Sequence, residues 1–209
     1  SSRCGFWRAQ GIRRGAPVHG CAARGMDIPY EPVTRRRVQP ATKAMTNAKI
    51  LMVGDAGVGK TSLVSAFCDK GPFSKAYEPT AGADFHMRHF SHFGREMRVS
   101  IYDASGDPQF LEVRNELYKE VQAVMLVFDV TCRKSFQSLG AWLEEASKFS
   151  VGELQMVVVG TKTESGPRVV NEQTARDWAK SNNLSFVEVS VAQGRNVEIA
   201  FKELFIRMA

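Results

Sequence analysis

At 209 residues the chain is long enough for one sizeable domain with a tail and short for two. Its formal charge of +6 would suit a nucleic-acid partner if it were spread over the fold. Instead, residues 1–46 hold nine Arg and Lys against Asp27 and Glu31, a net of +7, so the remainder stands at −1 and no specific nucleic-acid surface is expected.

The tail lacks apolar periodicity and is studded with Gly, Pro and Arg. Residues 1–46 therefore read as a disordered basic extension, and residues 47–209 as the folded domain. The first 25 residues are Arg-rich and free of Asp and Glu, which leaves nuclear or organelle targeting as an alternative; their low Ser content and the in-frame Met26 and Met45 count against it. No run approaches ~18 apolar residues, so no membrane-spanning helix is expected. Cys4, Cys21, Cys68 and Cys132 form neither a C-x-x-C pair nor a disulfide framework, which fits a reducing, cytoplasmic compartment. No Cys lies near the C-terminus, so this chain offers no prenylation site there.

From Ala48 onward, apolar runs alternate with amphipathic segments. The expected strands are 48–53, 83–91, 96–102, 123–129, 155–160 and 185–189. Between them, residues 61–69 place Leu63, Val64 and Phe67 at helical spacing, and residues 135–149 do the same with Phe136, Leu139, Leu143 and Ala146. Residues 171–181 form a weaker helical pattern, while Val197, Ala200, Phe201, Leu204 and Met208 mark a last helix. Strands alternating with helices predict an α/β fold with a six-stranded, mostly parallel sheet. Residues 83–102 are the exception, two strands joined by a short turn at Phe93-Gly94-Arg95 and hence an antiparallel hairpin.

The chemistry gathers around Gly54-Asp55-Ala56-Gly57-Val58-Gly59-Lys60-Thr61, with Ser62 following. This is G-x-x-x-x-G-K-[ST], the P-loop pattern: glycines let the backbone curl until several N–H groups face a polyphosphate, Lys60 adds a charge for the outer phosphates, and Thr61 offers a hydroxyl to Mg²⁺. A strand precedes the loop and a helix follows it, so the phosphates would sit at a helix N-terminus. Asp103, closing the strand 96–102, suits a second Mg²⁺ donor, and Gly106 stands ready to present its N–H to a terminal phosphate.

The order of this loop, then Tyr77-Glu78-Pro79-Thr80, Asp103-Ala104-Ser105-Gly106, Thr161-Lys162-Thr163-Glu164 and Ser190-Val191-Ala192, resembles the five guanine-nucleotide motifs of Ras-superfamily small GTPases, Rab-like in particular. A narrower likeness, in Gly106-Asp107-Pro108, Glu112-Val113-Arg114-Asn115-Glu116 and Phe128-Asp129-Val130, is to the RJL group, Rab-like GTPases of which some carry a C-terminal DnaJ domain. The resemblance implies a P-loop NTPase fold of the Ras-like type, with GTP or GDP and Mg²⁺ as ligands. Thr61 and Thr80 would ligate Mg²⁺, with Asp103 holding it through water. Phe73 would flank the base and Tyr77 the phosphates, while Gly106 would sense the γ-phosphate. Lys162 would lie along the guanine plane, between Thr161 and Glu164, and Ser190, Val191 and Ala192 would close the base site. Residues 75–82 and 103–119 would be the switches read by effector, exchange-factor and activating proteins. The chain ends where a DnaJ domain would begin and contains no His-Pro-Asp, so it reads as a member without that domain or as a fragment. An Hsp70 partner is implied only if the natural protein continues past Ala209.

The departures from the family pattern bear on catalysis. Glu164 stands where the family has an Asp that accepts two guanine N–H donors, and Val191 is bulkier than the usual Ala. Asp107 replaces the Gln that orients the attacking water, Ala56 occupies a position often held by Gly or Ser, and Gln109, behind Pro108, is the remaining candidate for that task. These residues predict a GTP-binding switch with slow hydrolysis; the alternative is a non-hydrolysing scaffold acting through protein contacts. Another P-loop enzyme such as a nucleotide kinase lacks support, since neither an Arg-rich lid insertion nor an acceptor segment is present.

Overall fold

The central strand β1, Thr46–Val53, sends Ala48, Ile50 and Met52 to one face and Leu51 and Val53 to the other, and all five are at most 1 % exposed. Double burial of this kind is the mark of a parallel strand covered by helices on both sides. The same alternation runs through β4, Ala123–Asp129, where every residue is buried, and through β5, Gln155–Thr161. The coordinates are a computed structural model that describes residues 46–208 apart from 69–70, 72, 75–77 and 93, all within one unit, Thr42–Ala209. The basic extension up to residue 45 and Tyr77 fall outside the described residues.

Six strands form one sheet in the order β2-β3-β1-β4-β5-β6. β2, Ala83–His92, is antiparallel to β3, Arg95–Ala104, as the hairpin expectation required; β3, β4 and the chain from β5 to β6, Ser185–Glu188, are joined in parallel about β1. On one face lie α1, Lys60–Cys68, and α6, Val197–Met208, packed on Ile50, Met52, Met125, Val127, Val157 and Val159. On the other, Leu51, Val53, Leu126, Phe128 and Val158 pack against α2, Leu111–Tyr118, α4, Leu139–Phe149, and α5, Glu172–Ser181. The helix after β1 and the helices after β4 thus leave on opposite faces. A crevice opens beyond the carboxyl ends of these two strands, which is where sheets of this class place ligands.

One expectation needs correction, and one element went unforeseen. Residues 135–149 are not one helix but α3, Arg133–Gln137, and α4, with Ser138 at the junction. The Ser138 hydroxyl lies 3.0 Å from the Lys134 carbonyl and 2.9 Å from the Asp55 carboxylate, so its one proton has two acceptors within reach just where the segments meet. The helix α2 was not foreseen either, because its buried side chains are Arg114 and Tyr118 rather than an apolar stripe.

Phe67 of α1 and Phe201 of α6 are fully buried and stack with ring centroids 3.8 Å apart. Phe201→Ala removes that stack from a packed layer, and is expected to lower unfolding stability by about 3–5 kcal/mol in urea titration. A loss under ~1 kcal/mol would mean that the layer closes over the gap.

Candidate functional site

The turn from β1 into α1 is the phosphate-loop sequence, and its backbone follows the pattern: Gly59 takes φ +99°, a conformation that a residue with a Cβ resists. Lys60, 6 % exposed, folds back so that Nζ donates to the carbonyls of Gly54 at 2.8 Å and Asp55 at 2.9 Å. Burial lowers its pKa to about 8, against the opposing pull of the Asp103 and Asp55 charges. A cleft of about 870 Å³ opens over this loop, lined among others by Lys60, Thr61, Thr80, Gly106, Lys162 and Glu164.

Three oxygens converge beside Lys60. Thr61 Oγ1 donates to Asp103 Oδ2 at 2.5 Å and lies 3.1 Å from Thr80 Oγ1. Asp103 is fully buried, and its Oδ1 has no hydrogen-bond partner. Burial raises its pKa, with the Thr61 hydroxyl and the Lys60 charge acting the other way. An orphaned buried carboxylate oxygen beside two hydroxyls is a donor set that a hard divalent cation fits, with water completing its shell. Among the described residues no group of His, Cys, Asp and Glu offers a rival metal cluster.

The loop after β3 meets the phosphate loop edge to edge. A Cβ on Gly106 would come within 2.5 Å of the Ala56 nitrogen and the Gly54 oxygen, so only glycine permits this approach. Next to it, Asp107 caps the short turn Pro108–Phe110, accepting from the Gln109 N–H at 3.0 Å and from Gln109 Nε2 at 3.1 Å. The two residues considered for water orientation are therefore bonded to each other, and both line the cleft.

Also lining the cleft, Thr161 is buried, and its hydroxyl lies within donating distance of the carbonyls of Val58, at 2.5 Å, and Phe128, at 2.9 Å. Lys162, at φ +60°, donates to the Gly57 carbonyl at 2.7 Å and pairs with Asp129 at 2.8 Å. Burial pushes the Asp129 carboxyl up, but its hydrogen bonds with Lys162 and Thr131 prevail and hold it below the usual range. Glu164 accepts from the Ser165 hydroxyl through Oε1, whereas its Oε2 is buried without a partner. Val191 and the exposed Phe73 line the cleft; Ser190 is buried behind it, accepting from the Gln193 N–H, and Ala192 lies on an exposed turn.

The structure thus gathers most of the residues singled out from the sequence into one cleft, with Ser62 among its lining. Gly54, Asp55, Val58, Asp103 and Ser190 stand behind the lining. Asp55 in particular turns its carboxylate away, to the indole N–H of Trp142 at 2.8 Å and the Ser138 hydroxyl at 2.9 Å. Sequence reading missed Ser138, Trp142, Arg114 and Glu145. The signal of Ser138, Trp142 and Glu145 was a spacing of four and then three from the N-cap into α4, which reads as ordinary core and surface, and Arg114 on α2 gave no signal beyond a lone charge.

Residues 49–209 match the family model described as Ras family, and the chain belongs to that family. It is a Rab-like member. It is 33 % identical over 154 residues to "GTP-binding protein ypt1" of Schizosaccharomyces pombe, which spans 73 % of this chain and 75 % of that protein. It is 32 % identical over 161 residues to human "Ras-related protein Rab-30", covering 77 % of this chain and 79 % of that protein. A further relative is "DnaJ homolog subfamily C member 27" of Danio rerio, 35 % identical over 169 residues, 78 % of this chain and 62 % of the relative's length. The chain therefore spans less than two thirds of that protein. No helix among the described residues is long and apolar enough to cross a membrane.

Thr161→Val keeps the shape of the side chain but withdraws the proton that serves the Val58 and Phe128 carbonyls. It is expected to cost about 1–3 kcal/mol in unfolding free energy, read by chemical denaturation. An unchanged stability would mean that the two carbonyls find other donors.

Proposed function

We propose that residues 47–209 form a guanine-nucleotide switch of the Rab-like small GTPase type, binding GTP or GDP with Mg²⁺ and hydrolysing GTP slowly. The observation that carries this reading is the pairing of two chemistries in one cleft. Its lining holds Lys60, in a loop at a helix N-terminus, and Glu164, with a buried, unpartnered carboxylate oxygen. The first suits a polyphosphate and the second suits a base edge that donates N–H groups.

On this reading Lys60 exchanges its hydrogen bonds with the Gly54 and Asp55 carbonyls for the outer phosphate oxygens. Thr61, Thr80 and Asp103 would hold the Mg²⁺, which supplies charge neutralisation to those phosphates when bound. Lys162, already fixed by Gly57 and Asp129, offers its side chain to one face of the base. Glu164 reaches farther than the family's Asp, so guanine is held with weakened affinity.

Hydrolysis is the weak step. An ionised Asp107 only accepts hydrogen bonds, and it adds negative charge where charge accumulates in the transition state. The Gln109 amide, which would otherwise orient a water, is bonded to that same carboxylate at 3.1 Å. The mutual bond also favours the second reading, a scaffold that binds nucleotide without turning it over. In either case, partners would read the segments 75–82 and 103–119; Leu111 and Val113 within the second, and Phe85 and Met87 on the adjoining strand β2, expose apolar surface.

Lys60→Ala is expected to abolish nucleotide retained by the purified protein, identified and quantified after denaturation by chromatography. Equal occupancy in the two proteins would remove the polyphosphate reading, and adenine in place of guanine would remove the base assignment.

Asp107→Gln is expected to accelerate single-turnover GTP hydrolysis by about tenfold, equivalent to roughly 1.4 kcal/mol of barrier. It replaces an acceptor-only group and releases the Gln109 amide together. A slower or unchanged rate with intact nucleotide affinity would shift the defect elsewhere in the site.

A further inference from the structure

A buried polar cluster surrounds Arg114 of α2, which is 2 % exposed and is absent from the cleft lining. Its Nε donates to Glu145 Oε1 at 2.7 Å and Nη2 to Glu145 Oε2 at 3.1 Å, a two-pronged pair. Nη1 donates to the Ser105 carbonyl at 3.1 Å and to the Asp107 carbonyl at 2.8 Å, while the guanidinium lies 4.8 Å from the centre of the Trp142 ring. The Tyr118 hydroxyl adds a further bond to Glu145 at 3.1 Å. Trp142 in turn donates to Asp55, as does Ser138. Ser138, Trp142 and Glu145 stand four and then three residues apart, along one face of the helix they begin. That face therefore grips the phosphate loop through Asp55 and the loop at Gly106 through Arg114.

The consequence for Gly106 follows from peptide geometry. Across a trans peptide the carbonyl and the following N–H point in opposite directions. With the Ser105 carbonyl held on the guanidinium, the Gly106 N–H points away from Arg114. The next peptide is fixed because the Asp107 N–H donates to Ser105 Oγ at 3.3 Å, and the one after it because the Asp107 carbonyl is also on Arg114. Three successive peptides around Gly106 are thus oriented by groups of the protein itself, beside a phosphate loop that Gly106 all but touches.

We infer that Arg114 is a positioning residue that presets the Gly106 N–H for the terminal phosphate of a nucleoside triphosphate, biasing the site toward triphosphate over diphosphate before any nucleotide arrives. The inference rests on the nucleotide reading above and adds a residue that touches no ligand. A flexible loop would lose conformational freedom on meeting the terminal phosphate; a loop already ordered loses little, and the gain falls on the ligand that carries that phosphate.

The test compares affinities for GDP and for a non-hydrolysable GTP analogue, by displacement of a fluorescent guanine nucleotide in the presence of Mg²⁺. The proteins are the full chain, its Arg114→Lys variant, and the double variant Arg114→Met, Glu145→Gln. The double variant removes both charges of the buried pair together, a change that folded proteins tolerate far better than losing one partner. Lysine keeps the charge but lacks the planar fork that reaches Glu145 and two carbonyls at once. Both variants are expected to bind the GTP analogue at least tenfold more weakly while GDP affinity stays within about twofold. Equal losses for the two nucleotides, or an unchanged ratio between them, would overturn the positioning role. Failure of the unaltered protein to bind either nucleotide would instead overturn the nucleotide reading on which the inference stands.

Discussion

Covering both faces of β1 and β4 is the constraint on which the rest of the molecule depends. Parallel strands buried on both sides cannot turn back on themselves, so each must be followed by a helix crossing one face or the other. Here the helix after β1 packs with α6 on one face, and those after β4 pack on the opposite face. Polar segments that leave the sheet are forced to its carboxyl edge, since a buried loop would strand its N–H and C=O groups. The phosphate loop, the Gly106 loop and the segment Thr161–Glu164 meet there for that reason, although they are separated by about fifty residues each time in the chain.

That edge carries charge which the apolar layers beneath do not neutralise. Lys60 and Asp103 are both buried, and each is pushed toward its neutral form by burial while the other's charge resists. Neither is completed by the protein: Lys60 leans on two backbone carbonyls of its own loop, and Asp103 keeps one oxygen without a partner. Leaving such groups half-satisfied lowers the stability of the empty domain and raises the gain from a ligand that supplies the missing partners. Lys162 and Asp129 differ, because they complete each other at 2.8 Å and so fix the Lys162 side chain in advance.

How far the sequence could be read depended on which physical signal each part carries. The sheet was legible because β1, β4 and β5 each hold an apolar run, Ile50–Val53, Ala123–Phe128 and Met156–Val159, and the hairpin because Gly94 falls in the turn between two strand-like segments. The phosphate loop was legible because its chemistry demands particular residues at fixed spacing. Helix α2 was not, since an arginine in its buried face breaks the apolar pattern and burial of Arg114 requires Glu145, thirty-one positions away. The division between α3 and α4 escaped for a related reason: Ser138 is unremarkable until Asp55 is brought beside it, eighty-three positions distant. The role of Gln109 was also hidden, as its bond to Asp107 exists only in the local turn that Pro108 opens. Long-range polar pairs leave no periodic trace, and a reading based on periodicity passes over them.

On the reading proposed above, Gly106 and Asp107, adjacent in the chain, would bear on binding and turnover in opposite senses. The carbonyl of Ser105 on Arg114 directs the Gly106 N–H, an element that a triphosphate needs in its ground state as much as in its transition state. The side chain of Asp107 withholds the Gln109 amide, an element needed only as water attacks. The first would contribute to affinity without discriminating between ground and transition states; the second would leave the barrier standing. A domain with both features would hold a triphosphate in a preformed loop and leave its conversion to a group supplied from outside. Binding and hydrolysis would be separable on this reading because Arg114 holds the backbone on either side of Gly106, whereas Asp107 engages the Gln109 side chain through its own.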